Sequence, residues 1–222
     1  MLSTWFPNVQ WDVLLEATKE TLYMSAISVV ITFFLGLALG LALFLTSPGN
    51  LWGNKFLNSV IAIIVNVFRS IPFIILIILL IPFTRLIVGT MLGAEAALPA
   101  LIVGAAPFYA RMVEIALREI NKGVIEAAKS MGATNTQIIF KVLIPESTPA
   151  LVSGITVTAI ALVSYTAMAG VVGAGGLGNL AYMEGYQRDN ADVTLISTAL
   201  ILVIVFVIQW IGDRITTSLD KR

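Results

Sequence analysis

The stretch Glu126-Ala127-Ala128-Lys129-Ser130-Met131-Gly132, followed after nine residues by Val142-Leu143-Ile144-Pro145, is the longest polar-leaning segment of a very apolar chain. Its punctuation is that of two short helices. The first can run from about Val124 to Met131 and stop at Gly132, because a residue without a Cβ adopts the left-handed stop geometry cheaply. Thr134, with Gln137 three residues on, has the spacing of a capping box and opens a second helix. Proline disfavours helical geometry in the residue ahead of it, so this helix is expected to end before Pro145. The product is a helix, a tight bend and a helix between two apolar regions. Such a knuckle can be gripped by a partner protein; an ordinary solvated hairpin carries the same local signals.

The surroundings of the knuckle set the class of molecule. Of 222 residues 58% are hydrophobic, and the mean hydropathy is +0.95. Soluble domains hold about 45–50% apolar residues even with glycine counted, so the chain is read as a membrane protein. Thirteen Lys and Arg balance 13 Asp and Glu, which argues against nucleic acid as a partner. There is no Cys and no His. Disulfides, thiolate chemistry, the commonest zinc ligand, the usual proton shuttle and the triad base are removed together. No catalytic residue, cofactor or metal is expected. The N-terminus lacks a positive n-region and a small-residue cleavage site, so no cleaved signal peptide is expected.

Working outward, the apolar runs divide into five spans, at about 21–45, 56–83, 96–118, 150–172 and 193–212, with the knuckle at 123–145. The fold class is all-α: one polytopic transmembrane bundle over residues 1–222 with a helical hairpin outside the membrane. The first run has 25 uncharged residues, enough for one spanning helix. Its Gly36 and Gly40 form a G-x-x-x-G, read as a close-packing face. Before it, Trp5 and Trp11 alternate with Asp12, Glu16 and Lys19, which suits either an interfacial lead-in helix or a frayed tail. Leu86 to Ala94 is ambiguous, too short to span and glycine-punctuated, and Asn179 to Asp192 reads as a polar loop.

Within these spans a few residues stand out. Arg69 lies in an otherwise apolar run, three residues before Pro72. Arginine at membrane depth costs at least ~2.5 kcal/mol and normally faces a bundle interior or water, while Pro72 frees carbonyls that neighbours must satisfy. Arg69 either lines a path or braces a gate, or it caps neighbouring helix ends. The fourth run is rich in hydroxyls (Ser153, Thr156, Thr158, Ser164, Thr166) and ends near Tyr165-Thr166-Ala167-Met168. Hydroxyls there suit interhelical hydrogen bonds as well as a path; Tyr165 and Met168 are the gate candidates. Gly173-Ala174-Gly175-Gly176-Leu177-Gly178 matches G-x-G-x-x-G but follows a membrane run, not a strand. It is read as a flexible turn and not as a dinucleotide site.

The knuckle resembles the E-A-A, three residues, G, nine residues, I-x-L-P pattern of the membrane subunits of bacterial ABC importers. Here the pattern stands as Glu126-Ala127-Ala128, Gly132 and Val142-x-Ile144-Pro145, with two conservative apolar swaps. In that family the segment is the coupling helix, seated in a groove of the ATPase subunit. The resemblance makes Glu126, Ala127, Ala128, Gly132 and Pro145 the ATPase-coupling residues. The run from Arg69 to Arg85, the Arg111–Glu114 segment and the glycine turn are similar to those of methionine importer permeases. It implies two copies of an ATP-binding subunit, a substrate-binding protein on the outer face and a second copy of this chain. Permeases for osmolytes or phosphonates share parts of these stretches, and a different small solute stays open.

Orientation and energy source follow from charge. Five spans place the ends on opposite faces. With Arg69 set aside, Lys55, Arg111, Arg118, Lys122, Lys129, Lys141, Arg214, Lys221 and Arg222 fall on one face, and Lys19, Arg85 and Arg188 on the other. The basic-rich face is expected to be cytoplasmic, which puts the knuckle inside and the N-terminus outside a bacterial inner membrane. Ion-driven carriers need an ionisable residue near mid-bilayer; the span interiors are read as free of Asp and Glu. The chain also lacks G-x-x-x-x-G-K-[ST], so it is not expected to bind ATP itself. If transport is active, the motor is on another chain.

Overall fold

The structure, a computed structural model, describes residues 6–219. Trp5, Lys221 and Arg222, used in the readings above, lie outside the described residues. Nine α-helices and two π-helical turns account for most of the described chain, and there is no strand among the described residues.

Helix α1 runs Trp11–Thr46, 36 residues. At 1.5 Å per residue it is about 54 Å long, against an apolar membrane thickness of about 30 Å. Lead-in and first span are therefore one helix, whose charged first turns project past the apolar layer. Its Gly36 and Gly40 are the seat of α4 (Ala94–Arg118). A Cβ on Gly36 would come within 2.7 Å of Tyr109 Cδ1, and one on Gly40 within 2.5 Å of Val113 Cβ. Tyr109 is fully buried, stacks on Phe33 with ring centroids 5.9 Å apart, and donates its hydroxyl to the Leu151 carbonyl at 3.3 Å. Leu151 belongs to α7 (Ile144–Val171), so one side chain ties three helices.

The run expected as a single span at 56–83 is instead two helices, α2 (Lys55–Ser70) and α3 (Phe73–Val88), bent by 109°. The cause is Pro72, which holds Ile71 extended at φ −77°, ψ 124°, as a residue preceding proline prefers. Among the described residues four helical rods are long and apolar enough to cross a membrane, and the bent pair makes a fifth crossing if counted as one span. The last rod is α9, Ala191–Leu219, whose outer face of Leu202, Phe206 and Trp210 is exposed.

The polar loop expected over Asn179–Asp192 is mostly helical. Helix α8 (Gly176–Leu180) runs into a π-helical turn, Ala181–Tyr186. Its Leu177 and Leu180 are buried in one apolar cluster with Val9, Leu14 and Val163, and its first N–H groups are capped from α1. The Glu20 carboxylate accepts from Gly176 N–H at 2.6 Å, and Thr21 Oγ1 from Leu177 N–H at 2.8 Å. Gly175 and Gly176 both have φ of +80°. A Cβ on Gly175 would come within 2.4 Å of the Glu20 carboxylate. The glycine run is therefore a docking turn between distant helices.

Candidate functional site

The hairpin is built almost entirely from local hydrogen bonds. Helix α5 covers Lys122–Ser130. It begins two residues before Val124, because the Asn121 side chain caps it by accepting from Gly123 N–H at 2.8 Å. It ends at Gly132, whose φ is +82°. Gly132 N–H bonds the Lys129 carbonyl at 2.9 Å and Ala133 N–H the Ala128 carbonyl at 3.1 Å, the paired closure that a left-handed glycine allows. Thr134 then opens α6 (Asn135–Ile138). Its Oγ1 accepts from Gln137 N–H at 3.3 Å, and Gln137 Oε1 accepts from Thr134 N–H at 2.8 Å.

The second helix does not end before Pro145. Asn135–Val171 is one continuous rod of 37 residues. Between α6 and α7 the residues Ile139–Leu143 widen into a π-helical turn, closed by Ile144 N–H on the Ile139 carbonyl. The extra residue in that turn moves Pro145 into the first turn of α7, where a missing N–H is tolerated. Burial holds the widened turn in place: Ile138, Ile139 and Leu143 sit in one apolar cluster with Leu117 and Leu151. The far arm of the hairpin is thus rigidly joined to the fourth membrane crossing.

Glu126, Ala127, Gly132 and Pro145 are exposed, and Ala128 is buried against the core. Around them stand large exposed apolar side chains, Met131 at 82% and Phe140 at 64%. Glu126 has no ion-pair partner among the described residues. A tight bend that shows an unpaired carboxylate beside a methionine and a phenylalanine has the make-up of a docking knob.

Among the described residues, the segments that carry the larger basic group lie near one another. The loop before Lys55 lines a cavity of about 160 Å³ with Arg118, Lys122 and Ile125, and Ser153 Oγ meets Thr216 Oγ1 at 3.3 Å. The α1–α2 loop, the hairpin, the start of α7 and the end of α9 therefore share one end of the bundle. The other end is closed by Asn8 donating to Asp192 at 3.0 and 3.1 Å, by Glu20 on Gly176, and by Gly93 N–H on the Gly173 carbonyl at 2.9 Å.

Of the path candidates, Tyr165 is half-buried and Arg69 and Met168 are exposed. The Tyr165 ring stacks on Phe73, centroids 4.5 Å apart and planes within 3°. Phe73 opens α3, four residues after Arg69, so the bend and the far part of α7 meet. Arg69 makes no hydrogen bond or ion pair among the described residues and does not cap a neighbouring helix of its own chain. Met168 lies on a stripe of α7 with Val157 and Val171, exposed at 44%, 50% and 42%; Ser164 on the same stripe is also exposed. Sequence reading did not single out Phe73, whose partner is 92 positions away, and named Ser164 only as one hydroxyl among several. Spacings of seven, four and three residues along that stripe were the available signal.

One correction concerns acidic residues in the spans. Glu114 lies within α4 and is 2% exposed. Its carboxylate accepts from Arg111 on one oxygen and from Arg118 on the other, at 2.6 and 3.1 Å. It is a carboxylate saturated by guanidinium groups of its own helix, near the basic end of the bundle.

Comparison with known proteins agrees with this geometry. The family described as "Binding-protein-dependent transport system inner membrane component" matches residues 35–222. The chain is 67% identical over its whole length, and the relative's, to the methionine import system permease protein MetP of Bacillus subtilis. It is 50% identical over 212 residues, 96% of this chain and 98% of the relative, to the probable D-methionine transport system permease protein MetI of Pasteurella multocida. It superposes with a TM-score of 0.93 on a chain of the MetNI methionine ABC transporter solved in an inward-facing conformation, at 50% identity, covering 94% of this chain and 97% of that one.

Proposed function

The chain belongs to the family of binding-protein-dependent transport system inner membrane components, and we propose that it forms the route by which methionine or a closely related amino acid enters a bacterial cell. It is a multi-pass permease subunit of an ABC importer in the inner membrane and works as a homodimer with an ATPase partner. It is a transport subunit; ATP hydrolysis belongs to the partner. In the full assembly two ATP-binding subunits grip two hairpins, and a substrate-binding protein delivers solute to the opposite face. The knuckle is cytoplasmic and the N-terminus outside, as the basic residues gathered around the hairpin support.

The observation that carries this reading is the rod Asn135–Val171. One end is joined through Thr134 to the exposed bend at Gly132 and the arm that carries Glu126; the other carries Tyr165 and Met168. When ATP closes the ATPase pair, the two hairpins are drawn together. Each rod then tilts as a unit, because no loop intervenes to absorb the motion. Tyr165 carries Phe73 and the α2–α3 bend with it, and the route opens to the outer face. Hydrolysis restores the inward-facing arrangement. Arg69, Met168 and the exposed stripe of α7 line the route or its gate on the two-fold axis between copies. Glu114, neutralised by two guanidiniums, offers no evident seat for ion coupling.

The test is reconstitution of the chain with its ATPase subunit and binding protein in liposomes. ATP-dependent accumulation of methionine, competed by unlabelled methionine and not by osmolytes or phosphonates, supports the reading. Accumulation of one of those other solutes in its place would keep the mechanism and change the cargo.

A further inference from the structure

A charged cluster that the coupling scheme does not use lies where α4 meets α2. Glu114 is buried, yet both its arginine partners come from its own helix. Two guanidiniums on one carboxylate leave one positive charge and spare N–H donors. Arg111 directs one of them across to α2, where its second terminal nitrogen stands 3.5 Å from Asn66 Oδ1. Buried ion pairs seldom improve on apolar packing for stability, and α4 is already seated on α1 by apolar contacts. Polarity here supplies something different: a directional link that can be made and broken.

The position of Asn66 gives that link a use. Helix α2 has a single buried residue, Val65. Polar contacts to the rest of the chain are few: Asn58 donates to the Leu43 carbonyl at 2.7 Å and to Thr46 Oγ1 at 3.1 Å near its start, and Asn66 meets Arg111 near its end. Asn66 lies six residues before Pro72, at the approach to the 109° bend. On the other side of the cluster, Arg118 is the last residue of α4, three positions before the Asn121 cap of the hairpin. At 3.5 Å the Arg111–Asn66 contact is at the long edge of a hydrogen bond. Arg111 is also partly open to solvent, with 30% of its side chain exposed.

We infer that Arg111, held in place by Glu114, is a positioning residue that latches the end of α2 to the stem of the hairpin through Asn66, and that this latch opens during the transport cycle. The inference rests on the coupling function proposed above. Movement of the hairpin stem carries Arg111 with it, and α2 with its bend follows only while the link to Asn66 holds. The latch thereby sets how faithfully hairpin movement becomes movement of the gate.

The test uses the whole importer in proteoliposomes, reading methionine uptake and ATP hydrolysis in the same vesicles. Asn66→Ala should lower uptake per ATP by about fivefold, the low end of coupling between linked sites, with assembled complex still recovered by gel filtration. Asn66→Asp turns the contact into an ion pair with Arg111 and should slow uptake and hydrolysis together, leaving their ratio near that of the parent. In an Arg111→Lys background Asn66→Ala should add little, since the two residues act through one link. The latch is overturned if both Asn66 variants match the parent in rates and ratio, or if Asn66→Ala acts equally in both backgrounds. If the unmodified importer takes up neither methionine nor another small solute on ATP, the coupling reading falls and the latch with it, a result distinct from normal uptake with indifferent Asn66 variants.

Discussion

Glu20 and Gly176 are 156 residues apart in sequence and joined by a 2.6 Å hydrogen bond from the Gly176 N–H to the Glu20 carboxylate. A short helix has several N–H groups without intrahelical partners, and α8 meets two of its own with a carboxylate and a hydroxyl from α1. The bond fixes the far end of the Asn135–Val171 rod, through the glycine turn that follows it, to the longest helix of the bundle.

Loss of that cap should therefore weaken the bundle and leave the hairpin intact. A charge-assisted hydrogen bond contributes about 1.5–3 kcal/mol, so Glu20→Ala should lower thermal stability of the detergent-solubilised complex clearly. Glu20→Gln keeps an acceptor and should cost less. Gly175→Ala should resemble Glu20→Ala, because its Cβ would displace the same carboxylate. Differential scanning fluorimetry of the purified complexes orders the three.

The α1–α4 seat predicts a steric result. Gly40→Val would drive side-chain atoms into Val113 and the Ala110 carbonyl. Overpacking a tight contact typically costs about 1–3 kcal/mol, and the backbone carbonyl cannot yield as a side chain can. The expected outcome is a sharp fall in membrane-inserted protein, measured by quantitative blotting. Gly53→Val, in a loop with neighbours no closer than 3.6 Å, serves as the control.

Tyr165 and Phe73 should act through their rings. Tyr165→Phe keeps the stack and should retain uptake. Tyr165→Ala removes an aromatic pair worth about 0.5–1.5 kcal/mol beyond its buried area, and should impair uptake more than ATP hydrolysis. Equal loss of both activities in Tyr165→Ala would point to general destabilisation and away from a gate.

At the hairpin, Glu126→Arg reverses the exposed charge, and Gly132→Leu puts a side chain at φ +82°, which costs an L-residue about 1–2 kcal/mol. Both should uncouple hydrolysis from uptake without preventing insertion. Normal uptake in both variants, measured against ATP turnover, would remove the hairpin from the mechanism.

Much of the hairpin was legible because its bonds are local: Gly132, Thr134 and Gln137 announce their geometry within a few residues. The G-x-x-x-G of α1 was legible as a packing face, though not its partner. Passage of the helix through Pro145 was not, because the rule that proline ends a helix is local, and the π-helical turn that evades it is held by Ile138 and Leu143 against residues far along the chain. Pro72 signalled a weakness, but the angle of the bend depends on where Phe73 finds Tyr165. Glu114 escaped notice as a buried carboxylate because its arginines look, in sequence, like a solvated helix exit. Glu20 drew no reading from sequence, because the helix it caps lies 156 residues away.

The most direct test of the central claim exploits the absence of native cysteine. Met131→Cys places a single thiol at an exposed point of the hairpin bend, where Met131 is 82% exposed. An impermeant thiol reagent should label it in inside-out vesicles, fail to label it in intact cells, and lose access when the purified ATPase subunit is added back. Labelling from outside the cell, or labelling that the ATPase subunit does not diminish, would contradict the account.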